Sequence, residues 1–338
     1  MYLFTSETVS AGHPDKCADI IADTVVDTLL QSDPKSKVAT ETFLSGKHII
    51  IGGEVKTSVA TSDAFYKEIA KKALQKIGYP ESEGFERGET LYPDEADIHV
   101  YVSQQSPDIT IGVEKEDEEI GAGDQGIMFG YATAEREDYM PTALAYAREI
   151  RDVLYAYALE HPETFGVDLK TQVTIDYGTK ENFDHCKPQK ITQIVVAISH
   201  SKVVTQQEVQ KLVKNLIIEK VKFKEGHFDA KSVKFYINNT GRFVRHSPLA
   251  DSGLTGRKVV CDTYGGYAPV GGGSQSSKDY SKVDRSALYA ARWIAKHIVA
   301  AGLAETALVQ LAYVIDEPWL LTVPLNSQHQ ALGASRLE

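Results

Sequence analysis

Apolar side chains recur at every fourth position through Cys17, Ile21, Val25 and Leu29. This spacing predicts a helix over residues 14–31, with Asp19, Asp23 and Asp27 along another face. Residues 37–44 and 48–56 are rich in β-formers and flank Ser45-Gly46-Lys47, the pattern of a hairpin. Phe65, Ile69, Ala73 and Ile77 mark the next helix, closed by Gly78, and the alternation of Ile98, Val100 and Val102 reads as a strand. The same order then returns. A helix over 141–160 has Pro141 suited to its first turn, strands follow over 171–177 and 190–199, a helix over 205–219 opens with the capping box Thr205-x-x-Glu208, and a strand covers 232–238. A third round starts with a helix over 283–301 ended by Gly302, a strand over 307–315 and a candidate strand at 319–323. Residues 326–330 read as loop, and no closing helix or strand follows. The pattern predicts an α+β fold of three similar helix–hairpin–helix–strand units, the third incomplete, divided as 1–110, 111–250 and 251–338.

Composition narrows the function. A net charge of -11 over 338 residues argues against a protein that coats nucleic acid through a basic face, though not against a local basic pocket. No apolar run reaches the length of a membrane span, and Met1-Tyr2-Leu3-Phe4-Thr5-Ser6-Glu7 lacks the basic start and apolar stretch of a signal peptide. Cys17, Cys186 and Cys261 are far apart with no Cys-x-x-Cys pair, so free thiols in a reducing cytoplasm are expected, and no zinc site.

Three segments stand before the first helix of each unit: Gly12-His13-Pro14-Asp15-Lys16, Gly121-Ala122-Gly123-Asp124-Gln125-Gly126, and residues 271–285, which begin Gly271-Gly272-Gly273. Glycine-rich approaches to helix N-termini present unpaired N–H groups and a positive dipole end, where phosphates are stabilised. The third segment adds Lys278, Lys282 and Arg285 beside Asp279 and Asp284, cations for phosphate oxygens and carboxylates for Mg²⁺. It is not a P-loop, because Ser277-Lys278-Asp279 replaces Gly-Lys-Ser/Thr. Taken singly, each segment also fits a plain role: a helix cap, a tight turn, or a solvated loop before a charged helix. Asp251-Ser252-Gly253-Leu254-Thr255-Gly256-Arg257-Lys258 likewise fits a surface loop with a salt bridge.

Together, in this order, these four segments resemble the S-adenosylmethionine synthetase (methionine adenosyltransferase) family, in wording of bacterial type, from about residue 2 to 318. The resemblance implies three α+β units around a pseudo-threefold axis, homodimers that share active sites between packed sheets, and further pairing into tetramers. It implies attack of the methionine sulfur on C5′ of ATP, then cleavage of the triphosphate to pyrophosphate and phosphate, with two Mg²⁺ per site and K⁺. His13, Lys170, Arg257, Lys258 and Lys278 would be the catalytic set around the leaving triphosphate. Asp168, Arg242, Phe243, Asp251, Ser274 and Ile315 would complete the ATP site. Glu54, Gln105, Asp124, Asp251 and Lys282 would hold methionine, Asp15 and Asp284 Mg²⁺, and Glu41 K⁺.

Three departures stand out. Thr110-Ile111 replaces Asn-Gln in the loop expected to cover the site, Asn239 replaces a proline, and residues 319–338 match nothing in the pattern, as though the C-terminus were truncated or altered. That leaves room for an impaired homologue that binds nucleotide or pairs with a full-length subunit. A kinase is disfavoured by the failed P-loop.

Overall fold

The computed structural model describes residues 2–80, 84–104, 122–179, 184, 186–315 and 325–326. Along the chain run β1 (Leu3–Val9), α1 (Pro14–Ser32), β2 (Lys37–Ser45), β3 (His48–Lys56), α2 (Asp63–Ile77), β4 (Asp97–Gln104), β5 (Gly126–Thr133), α3 (Thr142–Glu160), β6 (Phe165–Asp176) and β7 (Lys190–His200). Then come α4 (Gln206–Lys220), β8 (Lys234–Ile237), a 3₁₀ turn (Ser247–Leu249), β9 (Gly253–Leu254), α5 (Val259–Asp262), α6 (Val283–Ala300), β10 (Thr306–Tyr313) and β11 (Leu325–Asn326).

Among the described residues the strands form three sheets, ordered β4-β3-β2-β9, β1-β6-β7-β8 and β11-β10-β5. The first two share one connectivity. A hairpin (β2/β3, β6/β7) is joined on one side by a parallel strand (β4, β8) and on the other by an antiparallel strand from a distant stretch of chain (β9, β1). In the third, β10 pairs antiparallel with both β11 and β5. The mixed α+β class expected from the pattern is therefore found.

The helices form where the periodicity placed them. Cys17, Ile21, Val25 and Leu29 of α1 are fully buried with Ile49 and Ile51 of β3 and Ile69 and Leu74 of α2. Gly78 ends α2 in the left-handed conformation at φ 94°, and both halves of the Thr205/Glu208 capping box are made. The differences are local. Pro141 is the cap of α3 rather than a first-turn residue, because its ψ of 130° is extended. Leu325–Asn326 pairs with Val309 and Leu308, so Asn326 lies in a strand where loop was expected; residues 319–323 lie outside the described residues. The three cysteines are buried free thiols.

Candidate functional site

The polar stripe of α1 organises the site. Asp15, Asp19 and Asp23 are spaced to fall on one helix face, and each carboxylate holds a piece of residues 254–285. Asp15 accepts the Leu254 N–H at 3.0 Å and pairs with Lys258 Nζ at 2.5 Å and Arg257 Nε at 3.4 Å. Asp19 accepts the Gly256 N–H at 2.9 Å, and Asp23 accepts from Ser277 N and Arg285 Nη1, each at 3.0 Å. Gly253 is packed so closely that a Cβ would meet the Pro14 carbonyl oxygen at 2.1 Å. Only glycine lets this loop press on the first turn of α1.

His13 caps α1 by accepting the Asp15 N–H on Nδ1 at 3.2 Å, so the ring proton sits on Nε2. Burial, then the Lys258 charge, lower its pKa to about 4 against the opposing pull of Asp15 and Asp251. The ring is therefore neutral at physiological pH and offers Nε2–H as a donor. Burial raises the Asp15 carboxyl, but the hydrogen bonds from Lys258 and Leu254 and the charges of Lys258 and Arg257 outweigh it and keep it below its ordinary value. On β6, Asp168 is enclosed, accepts the Ser247 N–H at 3.1 Å, and is pushed up to about 7 by burial, with Asp251 adding to the rise. Lys170 pairs with Glu7 at 2.7 Å, and its charge reaches His13. His13, Asp15, Asp168, Lys170, Asp251, Arg257 and Lys258 thus form one group.

A second group forms where residues 277–279 lie along β2, through Thr40 N to Ser277 O, the Ala39↔Lys278 bridge and Asp279 N to Val38 O. Lys278 Nζ is ion-paired with Asp284 in the first turn of α6, and the other Asp284 oxygen accepts the Gly273 N–H at 2.7 Å. Gly272, at φ 79°, passes so near that a Cβ would sit 2.9 Å from that carboxylate. Desolvation among its neighbours raises the Glu41 carboxyl, the Lys278 charge opposes the rise and the Asp19 charge adds to it; the balance is upward. Asp19, held by Gly256, links the two groups. Glu54, whose strand partner is Ala39, falls on the same outer face of the hairpin as Glu41. Ser274, buried, lies against Gly256.

Lys282 turns to Asp279 at 2.6 Å. Phe243 is half-buried, its N–H donating to His200 Nε2 at 3.2 Å and its ring 6.5 Å from that of His246, while Arg242 is exposed. Asp124 accepts the Gln125 N–H in the loop before β5, and Ile315 is exposed at the end of the described stretch. Gln105, Thr110 and Ile111 lie outside the described residues. The roles of Asp19, Asp23 and Asp279 as anchors of the loops were not foreseen, although the spacing of Asp15, Asp19 and Asp23 was the available signal.

Family models cover most of the chain: the S-adenosylmethionine synthetase N-terminal domain matches residues 1–107, the central domain 119–243 and the C-terminal domain 246–335. An S-adenosylmethionine synthase of Helicobacter pylori strain J99 is 46% identical over 336 residues, 99% of this chain and 83% of the relative. S-adenosylmethionine synthase 2 of Rhodospirillum rubrum is 44% identical over 97% of this chain and 80% of its own length. Among solved structures, an unusual S-adenosylmethionine synthetase from Campylobacter jejuni superposes with a TM-score of 0.92 at 50% identity, covering 99% of this chain and 83% of that one.

The glycine-lined entrances to α1 and α6 stand on a frame shared with a solved S-adenosylmethionine synthetase, and the relatives place the chain in the methionine adenosyltransferase class of enzyme. The chain belongs to the S-adenosylmethionine synthetase family and makes S-adenosylmethionine from ATP and L-methionine. The expected break with the family after residue 318 is corrected: the C-terminal domain model continues to residue 335.

Proposed function

We propose that the His13 and Lys278 groups are the two walls of the site in which the methionine sulfur attacks C5′ of ATP. The observation that carries this is the set of cations held by carboxylates, with Lys170, Arg257 and Lys258 in the group of a neutral His13 and Lys278 paired with Asp284 in the second group. A thioether is a neutral, weak nucleophile, so alignment matters more than a base. As the sulfur–carbon bond forms, the C5′–oxygen bond breaks and its electron pair leaves with the triphosphate. Preorganised cations stabilise that charge, and His13 Nε2–H donates to it. The triphosphate is then hydrolysed to pyrophosphate and phosphate. Asp168 and Phe243 hold the nucleoside side with Arg242, Ser274 and Ile315. Glu54, Gln105, Asp124, Asp251 and Lys282 serve methionine, their acidic members suiting the sulfonium product.

Asp15 and Asp284, each already paired with a lysine, and Glu41, raised chiefly by burial, are hard oxygen donors that fit Mg²⁺ and K⁺. Asp15 and Asp284 would hold Mg²⁺, two ions per site, and Glu41 K⁺, which when bound neutralise polyphosphate charge.

The shared connectivity of two sheets supports three copies of one unit about an approximate threefold axis, divided near residues 110 and 250. Phe43, Ile50, Tyr101 and Leu254, exposed on the outer face of the first sheet, support a homodimer packed sheet on sheet that shares its sites, and dimers of such dimers. The buried free thiols support a cytoplasmic enzyme.

The test is incubation with ATP, methionine, Mg²⁺ and K⁺. S-adenosylmethionine with pyrophosphate and phosphate is expected. ADP, or no product, would overturn the reading.

A further inference from the structure

At the hairpin end of the first sheet, away from Glu41 and Glu54, three donor side chains converge on the outer face. His48 begins β3, and its strand partner in the parallel β3/β4 register is Asp97. His99 is two residues further along β4 and so returns to the same face. Both imidazoles approach one carboxylate oxygen, Asp97 Oδ2: His48 Nδ1 at 3.0 Å and His99 Nε2 at 3.2 Å. The three ligand atoms all lie within 4.8 Å of one another.

Those separations have a chemical meaning. Ligand atoms bound at about 2.0–2.1 Å around a tetrahedral zinc ion stand about 3.3 Å apart. Two of the three edges here are already close to that value, and a small rotation of the imidazoles closes the third. Nitrogen from two imidazoles and one carboxylate oxygen suits zinc, cobalt or nickel and not the hard cations assigned to Asp15, Asp284 and Glu41. Partial desolvation raises the Asp97 carboxyl, but the His99 hydrogen bond and the charges of His99 and His48 outweigh it and hold it below its ordinary value, keeping it anionic. The donors sit on two hydrogen-bonded strands, which fixes their spacing better than a loop would. Gly52, the strand partner of Glu41, is four residues from His48, about 13 Å along the strand, so this cluster is separate from the catalytic groups.

We propose that His48, Asp97 and His99, at the hairpin end of this face, form a binding site for a divalent transition metal such as Zn²⁺.

The test uses the untagged full chain with Mg²⁺ in large excess, so that the catalytic positions are filled. Co²⁺ is titrated by visible absorption and Zn²⁺ by calorimetry, for the wild type, for His48→Gln with His99→Gln, and for Asp97→Asn. The wild type should bind one additional ion per chain with the intense visible bands of low-coordinate cobalt, and each variant should weaken binding by at least about tenfold while still forming S-adenosylmethionine. Equal binding by wild type and double variant, or no binding by the wild type, would overturn the site. Protection of His48 and His99 from diethylpyrocarbonate by Zn²⁺, read by peptide mass spectrometry on the unmodified chain, decides the matter should a variant fail to fold. Unchanged labelling of both histidines counts against the site.

Discussion

Lys282 and Asp279 are joined by a 2.6 Å ion pair in which the Asp279 side chain is wholly enclosed. Asp279 also accepts from Val38 N, Ser281 N and Ser281 Oγ at 2.7–2.9 Å, so this carboxylate ties the glycine-rich segment to β2. Lys282→Met should therefore cost about 1–3 kcal/mol, because it strips the charge partner from a buried carboxylate that keeps its other donors. Urea unfolding measures this. Because Lys282 also serves methionine in the proposed site, the KM for methionine should rise in the same variant, and an unchanged unfolding midpoint would contradict the anchoring role.

Asp168 predicts a pH signature. Its folded pKa, about 7, lies above the ordinary aspartate value of 3.8. Between these values the folded state keeps a proton that the unfolded chain releases. The stability from this group is fully present below the lower value and is lost as pH rises through 7, at up to about 1.4 kcal/mol per pH unit. Asp168→Asn removes that slope, so the variant should gain on the wild type from pH 4.5 to pH 8 in urea midpoints while losing nucleotide affinity. Parallel midpoint curves for the two proteins would contradict the assignment.

His13 works in the opposite sense. Its folded pKa, about 4, lies below the ordinary histidine value of 6.5, so its contribution to stability is present above 6.5 and lost as pH falls toward 4. Its ring carbon protons should show no titration from pH 5.5 to 8 by NMR. His13→Ala, which removes both the cap and the Nε2–H donor, should lower kcat by about 10²–10³-fold, the scale of losing one preorganised donor to a leaving oxyanion.

Gly253→Ala sets a Cβ against the Pro14 carbonyl oxygen at 2.1 Å and must push the 253–258 loop off α1. The Leu254 N–H and Lys258 contacts to Asp15 would be disturbed together. A stability loss of about 1–3 kcal/mol and a larger fall in kcat than in methionine affinity are expected from calorimetry and steady-state kinetics. An unperturbed variant would show that the loop does not need this close approach.

Much of this was legible in the residue pattern. The helical stripes, both hairpins and the capping box are local features, and local spacing carries them. β1, β5 and β9 were not read as strands. In β1 the buried positions include Ser6 and Thr8, so no apolar alternation marks it, and β9 has only two residues. In the site, the motif residues around His13 and Lys278 were recognisable by type. The anchoring of Lys282 was not, because Asp279 becomes buried only when residues 277–279 are laid on β2, a contact between remote stretches of chain.

Those same three inconspicuous strands interlock the molecule. Leu3 meets Asp176 across the second sheet, Gly126 meets Tyr313 in the third and Leu254 meets Phe43 in the first, so every sheet borrows an edge from another third of the polypeptide. No third can be excised with its hydrogen-bonding complete. The chain should melt as a single cooperative event, and a fragment cut between thirds would expose a bare strand edge prone to aggregation. Assembly must also wait for partners that are far apart in synthesis order, which makes slow folding a direct consequence of the topology.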